Sequence, residues 1–251
     1  MIAPRLVAFD LDGTLAESKE RMTREMGELL GELLKKMPVA VLSGGSWKQF
    51  EIQFFPSLPD EAQLGRLYLF PDNAAQCYVH REHGWRLQYD HALSQNQKER
   101  IVGVLHGVLS DVGLENAPAR VWGERIEDRG AEIAFSPLGQ QAPLPEKEEW
   151  RRAHQDLRAK VHALLSARLP DFDNTMGGLT TIDITPKGIN KAFGIKRLSE
   201  MTKIPIEHML YVGDALEEGG NDAVVHQAGI KTHEVFSPEE TAGVIESILK
   251  L

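Results

Sequence analysis

Leu6-Val7-Ala8-Phe9-Asp10-Leu11-Asp12-Gly13-Thr14-Leu15 runs from four apolar residues into two carboxylates one residue apart, and then into a glycine. A short apolar run bounded by polar residues reads as a buried strand, and the glycine just beyond it lets the chain turn. Working outward, Thr23 is placed to cap a helix whose Met26, Leu29, Leu30, Leu33, Leu34 and Met37 fall on one face. Val39 to Leu42 is the next strand and Leu67 to Phe70 a third. Strands alternating with helical patterns imply right-handed βαβ units, hence an α/β fold with a parallel sheet. Such a sheet carries its functional groups at the carboxyl ends of its strands, which is where the two carboxylates fall.

The middle of the chain has a different pattern: a hairpin around His83 and Gly84, a helix near Gln97 to Leu109, and strand-like stretches around Val121 and from Glu132 to Phe135. A long charged helix from about Lys147 to Arg168 and a strand from Thr180 to Thr185 follow. The alternation then resumes with a helix from Ile189, a strand from Met209 to Val212, a helix after Asn221, a short strand near Ile230 and a last helix from Pro238 to Leu249. The expected organisation is a Rossmann-like core of residues 1–82 and 187–251 with an inserted α+β domain, residues 83–186.

Composition narrows the classes. With 251 residues, 42% of them hydrophobic, the chain can bury a sizeable core. A net charge of −9 with dispersed basic residues argues against nucleic acid as a partner. No segment reaches membrane-spanning length, and the single Cys77 has no partner for an internal disulfide, so a soluble cytoplasmic protein is expected, with Cys77 a buried hydrophobe. His80 and His83 sit in a polar hairpin without further ligands and read as solvated.

The two carboxylates of Asp10 and Asp12 need a cation. Magnesium prefers oxygen ligands and keeps several waters, so one carboxylate and a nearby backbone carbonyl can hold it against a substrate phosphate. An ionised Asp beside that metal can attack phosphorus while a second acid protonates the leaving oxygen. Ser43-Gly44-Gly45 ends the second strand with a hydroxyl and accessible amides suited to phosphate oxygens. Lys191, near a helix start, can neutralise phosphoryl charge, Gly213-Asp214 supplies another strand-end carboxylate, and Gly219-Gly220-Asn221-Asp222 forms a second polar turn.

In this order, Asp10-Leu11-Asp12-Gly13-Thr14, Ser43, Lys191 and Gly213-Asp214 resemble the four motifs of the haloacid dehalogenase superfamily. The resemblance implies Asp10 as nucleophile, Asp12 as general acid/base, Ser43 and Lys191 as phosphoryl-group binders, and magnesium held by Asp10, the Asp12 carbonyl and Asp214 beside the turn of Asn221 and Asp222. Phe70-Pro71-Asp72-Asn73, Ser136-Pro137-Leu138-Gly139 and Gly177-Gly178-Leu179-Thr180-Thr181-Ile182-Asp183 are similar to segments of the eukaryotic-type phosphomannomutases, in subfamily IIB, whose cap is inserted between the second and third motifs. The likeness implies that Arg129, Thr181 and Asp183 on the cap contact a small phosphorylated sugar. Lys19 stands where those mutases have an arginine after the first motif, Gln140 replaces the arginine that follows Ser-Pro-x-Gly, and Lys147 matches a third such position only approximately; Lys19 and Lys147 remain candidate substrate contacts, but loss of the planar guanidinium weakens a phosphate clamp.

A mutase must shield its phospho-aspartate from water and hold the substrate by its distal phosphate. The changed clamp therefore tilts the expectation towards a sugar-phosphate phosphatase, with a phosphomannomutase-type mutase, activated by a hexose 1,6-bisphosphate, as the alternative. A homodimer is compatible with either. A receiver-like phosphoacceptor shares the acid, lysine and magnesium chemistry, but is much shorter and leaves the middle domain unexplained.

Overall fold

The computed structural model describes residues 3–116, 120–217 and 220–251, so Gly219 of the second polar turn lies outside the described residues. A seven-stranded mixed sheet has the order β11-β10-β1-β2-β3-β4-β5. Its parallel part comprises β1 (Leu6–Phe9), β2 (Val39–Leu42), β3 (Leu67–Phe70), β10 (Met209–Gly213) and β11 (Lys231–Glu234), and β4 (Gln76–Arg81) and β5 (Gly84–Asp90) complete it as an antiparallel hairpin. All residues of β1 and β2 are buried, because helices cover both faces.

On one face α1 (Arg24–Lys36) and α7 (Pro238–Leu249) pack over Val7, Phe9, Val39 and Val41. On the other, Ile195 and Leu198 of α6 (Lys191–Thr202) join Leu6, Ala8, Ala40 and Tyr211. Each such fully buried large side chain contributes about 1.5–3 kcal/mol. Thr23 caps α1 as expected, its hydroxyl accepting the Met26 amide at 3.2 Å. From β1 the chain first builds outward through β2 and β3 and later returns on the opposite side as β10. That reversal opens a crevice beyond the carboxyl end of β1.

A second compact unit, residues 91–189, holds the four-stranded antiparallel sheet β6-β7-β9-β8. Its strands are β6 (Ile126–Asp128), β7 (Ile133–Phe135), β8 (Phe172–Gly177) and β9 (Thr181–Pro186). Helices α3 (Gln95–Asp111) and α5 (Gln155–Arg168) cover one face through Ile101, Leu105, Val161 and Leu165 against Phe135, Phe172, Ile182 and Ile184.

Four expectations need correction. The division falls at 90/91 and 189/190, not at 82/83 and 186/187, because β5 pairs along its length with β4 and extends the large sheet. The strand placed around Val121 lies instead at Ile126–Asp128, where it pairs with β7. The single charged helix is two, α4 (Leu144–Ala153) and α5, since His154 leaves helical geometry at φ −133° and stacks on Trp150. The helix expected after Asn221 is only a 3-10 segment, Ala223–Ala228. Cys77 is buried as read, and burial pushes its thiol up to about 12. Among the described residues no helix is long and apolar enough to cross a membrane.

Candidate active site

Asp10 follows β1 directly and is anchored there, its amide donating to the Val212 carbonyl at 3.0 Å. Lys191, at the first turn of α6, is buried between two carboxylates and donates to Asp10 Oδ1 and Asp222 Oδ1, each at 2.6 Å. Tyr211 of β10 donates its hydroxyl to the same Asp222 oxygen at 2.6 Å. Ligand atoms of Asp10, Asp214 and Asp222 all lie within 4.8 Å of one another. Gly13, at φ +87°, permits this approach, since a Cβ there would stand 2.3 Å from Asp214 Oδ2.

Three carboxylates and one ammonium leave this cluster short of positive charge. Burial, with Asp222 and Asp214 adding to it against the pull of Lys191, holds the Asp10 carboxyl well above its usual range. Burial and Asp222 push Asp214 up to about 6. Burial works against the Lys191 charge, but Asp10 and Asp222 outweigh it and hold the ammonium protonated. Among the described residues, Asp222 Oδ2 is buried without a hydrogen-bond donor. An all-oxygen donor set with an unmatched buried carboxylate oxygen fits a hard divalent cation.

Asp12 takes another direction. Its carboxylate accepts the Lys19 amide at 2.7 Å, Gln49 Nε2 at 2.8 Å and Gln53 Nε2 at 3.0 Å. Desolvation would raise its pKa, yet Lys19 and the two amides hold it down to about 2. Its side chain is therefore not in the carboxylate cluster, and only its backbone carbonyl remains for the ligand role given to it. Ser43 is buried at the end of β2, with its hydroxyl accepting the Gly45 amide at 2.9 Å. Register places Val41 beside Phe9, so Ser43 and Gly44 emerge on the strand next to Asp10. Asn221 is half-buried beside Asp222.

The remaining expected residues divide between the units. Lys19 stays with Asp12, its ammonium 3.4 Å from Oδ2. Arg129, Thr181 and Asp183 lie in the second unit, where Arg129 donates to Glu127 and Glu132 at 2.7 Å each and is 3.8 Å from Asp183. Burial opposes the Arg129 charge, but Glu132, Asp183 and Glu127 more than offset it. Gln140 accepts from Arg129 at 3.4 Å and donates to the Ala134 carbonyl. Lys147, expected at the start of the charged helix, is buried within α4.

Sequence reading missed Tyr211, Gln49, Gln53 and Arg158. Arg158 donates to the carbonyls of Gly177, Gly178 and Thr181 at 3.0 Å each, fixing the turn before Thr181 and Asp183. The available signal was the spacing of Gln49 and Gln53, four residues apart just after the Ser-Gly-Gly turn.

Residues 26–251 match the family model of eukaryotic phosphomannomutase. The chain belongs to the eukaryotic phosphomannomutase family. Phosphomannomutases of Arabidopsis thaliana and Galdieria sulphuraria are 26% and 27% identical to it, each over 98% of this chain and over 97% and 95% of their own lengths. Among solved structures, a haloacid dehalogenase-like hydrolase from Bacteroides thetaiotaomicron superposes with a TM-score of 0.63 at 18% identity, over 98% of this chain and 99% of that one. The IMP-nucleotidase of Plasmodium falciparum gives 0.70 at 16% identity, over 99% of this chain and 63% of that one. At those identities the two structures establish the fold alone, that of the haloacid dehalogenase superfamily. Membership in the phosphomannomutase family makes this chain an enzyme of phosphoryl-transfer type, with a carboxylate cluster able to hold a metal.

Proposed function

We propose that the chain is a hexose-phosphate mutase of phosphomannomutase type. The reading rests chiefly on one observation: the family match runs through both compact units. It reverses the balance drawn from the cap substitutions alone, which favoured a phosphatase.

In this reading Asp12, held ionised by its partners in the free protein, takes up a proton from solvent as substrate binds; Asp10 attacks the substrate phosphorus in line, the bond from phosphorus to the sugar oxygen breaks, and Asp12 gives that oxygen its proton. Asp12, now ionised, takes the proton of an incoming sugar hydroxyl, which attacks the phospho-aspartate and restores Asp10. Lys191 offsets phosphoryl charge, while Ser43 and the Gly44 amide receive phosphoryl oxygens. Magnesium would be held by Asp10, Asp214 and the Asp12 carbonyl, and when bound it supplies charge neutralisation for the phosphoryl oxygens. Asp222 holds Lys191 in place, and Asn221 belongs to the turn that would flank the metal. Residues 91–189 are assigned the role of substrate selection, with Arg129, Thr181, Asp183 and Lys147 as contributors and Lys19 acting from the first unit.

One observation favours a phosphatase. Arg129 is already engaged by three acids of its own unit, and Gln140 replaces a second guanidinium, so the grip on a distal phosphate is weaker. The test is to incubate the protein and magnesium with mannose 1-phosphate or mannose 6-phosphate, with and without a hexose 1,6-bisphosphate, following isomer conversion and free phosphate. Bisphosphate-dependent conversion with little phosphate release supports the mutase. Phosphate release without conversion overturns it in favour of the phosphatase.

A further inference from the structure

Gln53 is almost fully buried, at 2% exposure, and spends its whole amide on polar partners. It donates to Asp12 Oδ1 and to the Glu17 carbonyl, and accepts Gln49 Nε2 at 2.6 Å. Gln49 also donates to Asp12 Oδ2, and Lys19 closes the ring by donating its ammonium to Gln49 Oε1 at 2.7 Å. Both glutamines come from a short helical segment that widens into a π-helical turn at Phe50–Phe54. Such turns recur at functional sites.

The neighbouring backbone is shaped around this ring. A Cβ on Gly45 would lie 2.0 Å from Gln49 Oε1, so the last glycine of the Ser-Gly-Gly turn makes room for the amide. Lys19 sits at φ +64°, in the left-handed region that costs a non-glycine residue about 1–2 kcal/mol, and there its amide reaches Asp12. A buried amide contributes little to stability beyond what an apolar side chain of its size would. Strain, a glycine and two amides therefore converge on the orientation of one carboxylate.

We propose that Gln53, supported by Gln49, is a positioning residue that sets the Asp12 carboxyl for proton exchange with the sugar oxygen. The assignment rests on the phosphoryl-transfer reading above. In the first half of the reaction the bond from phosphorus to the leaving oxygen breaks and the bond to Asp10 forms, while the Asp12 proton passes to that oxygen. The second half returns the proton from the attacking hydroxyl to Asp12. An amide pair fixed on both carboxylate oxygens leaves the carboxyl little freedom to rotate away from that line.

The consequence is a dependence on the leaving group. Esters of acidic phenols depart without a proton, whereas a sugar alkoxide cannot. The experiment uses the full chain with magnesium, comparing Gln53→Leu with the parent on mannose 1-phosphate and on aryl phosphates whose phenols range from weakly acidic to p-nitrophenol. Expected is a loss in kcat/KM, which reports the steps up to formation of the phospho-aspartate, on the order of 10²-fold for the sugar ester and the weakly acidic phenols, shrinking to within about three-fold for p-nitrophenyl phosphate. The dependence of kcat/KM on phenol acidity should steepen. Gln49→Leu, at a half-buried position, should show the same pattern more weakly and serves if Gln53→Leu does not fold. Equal losses on every ester, or an unchanged slope, overturn the positioning role. A parent that hydrolyses aryl phosphates but leaves mannose phosphates unchanged refutes the mannose reading alone, since the slope still tests Gln53. A parent inactive on every ester refutes both.

Discussion

Each compact unit buries one cation among three carboxylates, and the two clusters differ in what they leave unmet. In the second unit the Arg129 fork meets Glu127 and Glu132 directly, with Asp183 beside them and Glu127 partly in solvent. In the first, the Lys191 ammonium meets Asp10 and Asp222 while Asp214 stands close by, and two of the three acids are pushed above their usual range. A guanidinium distributes five donors over several carboxylates, whereas an ammonium is a point charge with three. The first cluster therefore has room for a second cation. Backbone conformation follows the same division: among the described residues, all five non-glycine residues with positive φ belong to the first unit, and in the second only glycines adopt it. Apart from Lys203, which caps the end of α6 remote from Lys191, the non-glycine residues lie beside Asp12 or against the Ser43–Gly45 turn, where the chemistry is proposed.

The largest effect that would break this comparison is on turnover. Asp10→Asn should cost at least about 10³-fold in kcat, measured with the preferred ester, while circular dichroism stays that of the parent. Comparable residual activity would remove the nucleophile and make the first cluster a structural ion network like the second.

Next come the two cations. Lys191→Met strips Asp10 and Asp222 of their partner and should cost about 3–5 kcal/mol in metal-free urea unfolding. Arg129→Met should be destabilising by a similar amount, but its effect should be the same with and without magnesium, because no metal demand is placed on its cluster. A magnesium-dependent loss in Arg129→Met would contradict the distinction between the units.

Asp214 sharpens the contrast through pH. Its folded pKa of about 6 lies above the ordinary 3.8, so the folded state binds the proton more tightly than the unfolded chain. The metal-free protein is most favoured by this group below about pH 4 and loses about 2–3 kcal/mol through it as the pH rises past 6. Asp214→Asn should flatten that part of the profile, and magnesium should do so in the parent. Urea midpoints at pH 4.5 and pH 7, with and without the metal, measure both; a parent and variant with parallel profiles would count against the charge deficit.

The smallest effect concerns strain. Asp72, Asn73 and Ala74 follow one another at φ +50°, +52° and +68°, their turn tied to the phosphate-binding segment through Asp72 N to Gly45 O and Asn73 N to Ser43 O. Ala74→Gly should stabilise the protein by about 0.5 kcal/mol, the relief of left-handed alanine being partly offset by one lost buried methyl. Thermal unfolding reads the sign.

How much of this was legible depended on how local the cause was. Leu6 to Phe9, Val39 to Leu42, Leu67 to Phe70 and the helix from Pro238 are fixed by short apolar runs and helix caps, and they lie where the sequence reading put them. Asp10 and Asp214 follow strands, Lys191 opens α6 and Asp222 stands in a polar turn, and the resemblance to an ordered motif set made them readable together. Strand β8 escaped because Asp173 and Asn174 are poor strand formers, held there by ladder bonds to β9. The membership of the β4–β5 hairpin in the large sheet was equally hidden, since nothing in the hairpin's own residues marks the pairing of β4 with β3. Gln49 and Gln53 were missed because their role exists only in contact with Asp12, more than thirty residues earlier.

Tyr211 has an optical consequence. Its phenol is fully buried, and burial together with Asp222 and Asp10 holds its ionisation well above the ordinary range. As alkali is added, tyrosinate absorbance from this ring should lag, and the part of the absorbance change that Tyr211→Phe removes is a label-free clock for the opening of the packing around β10.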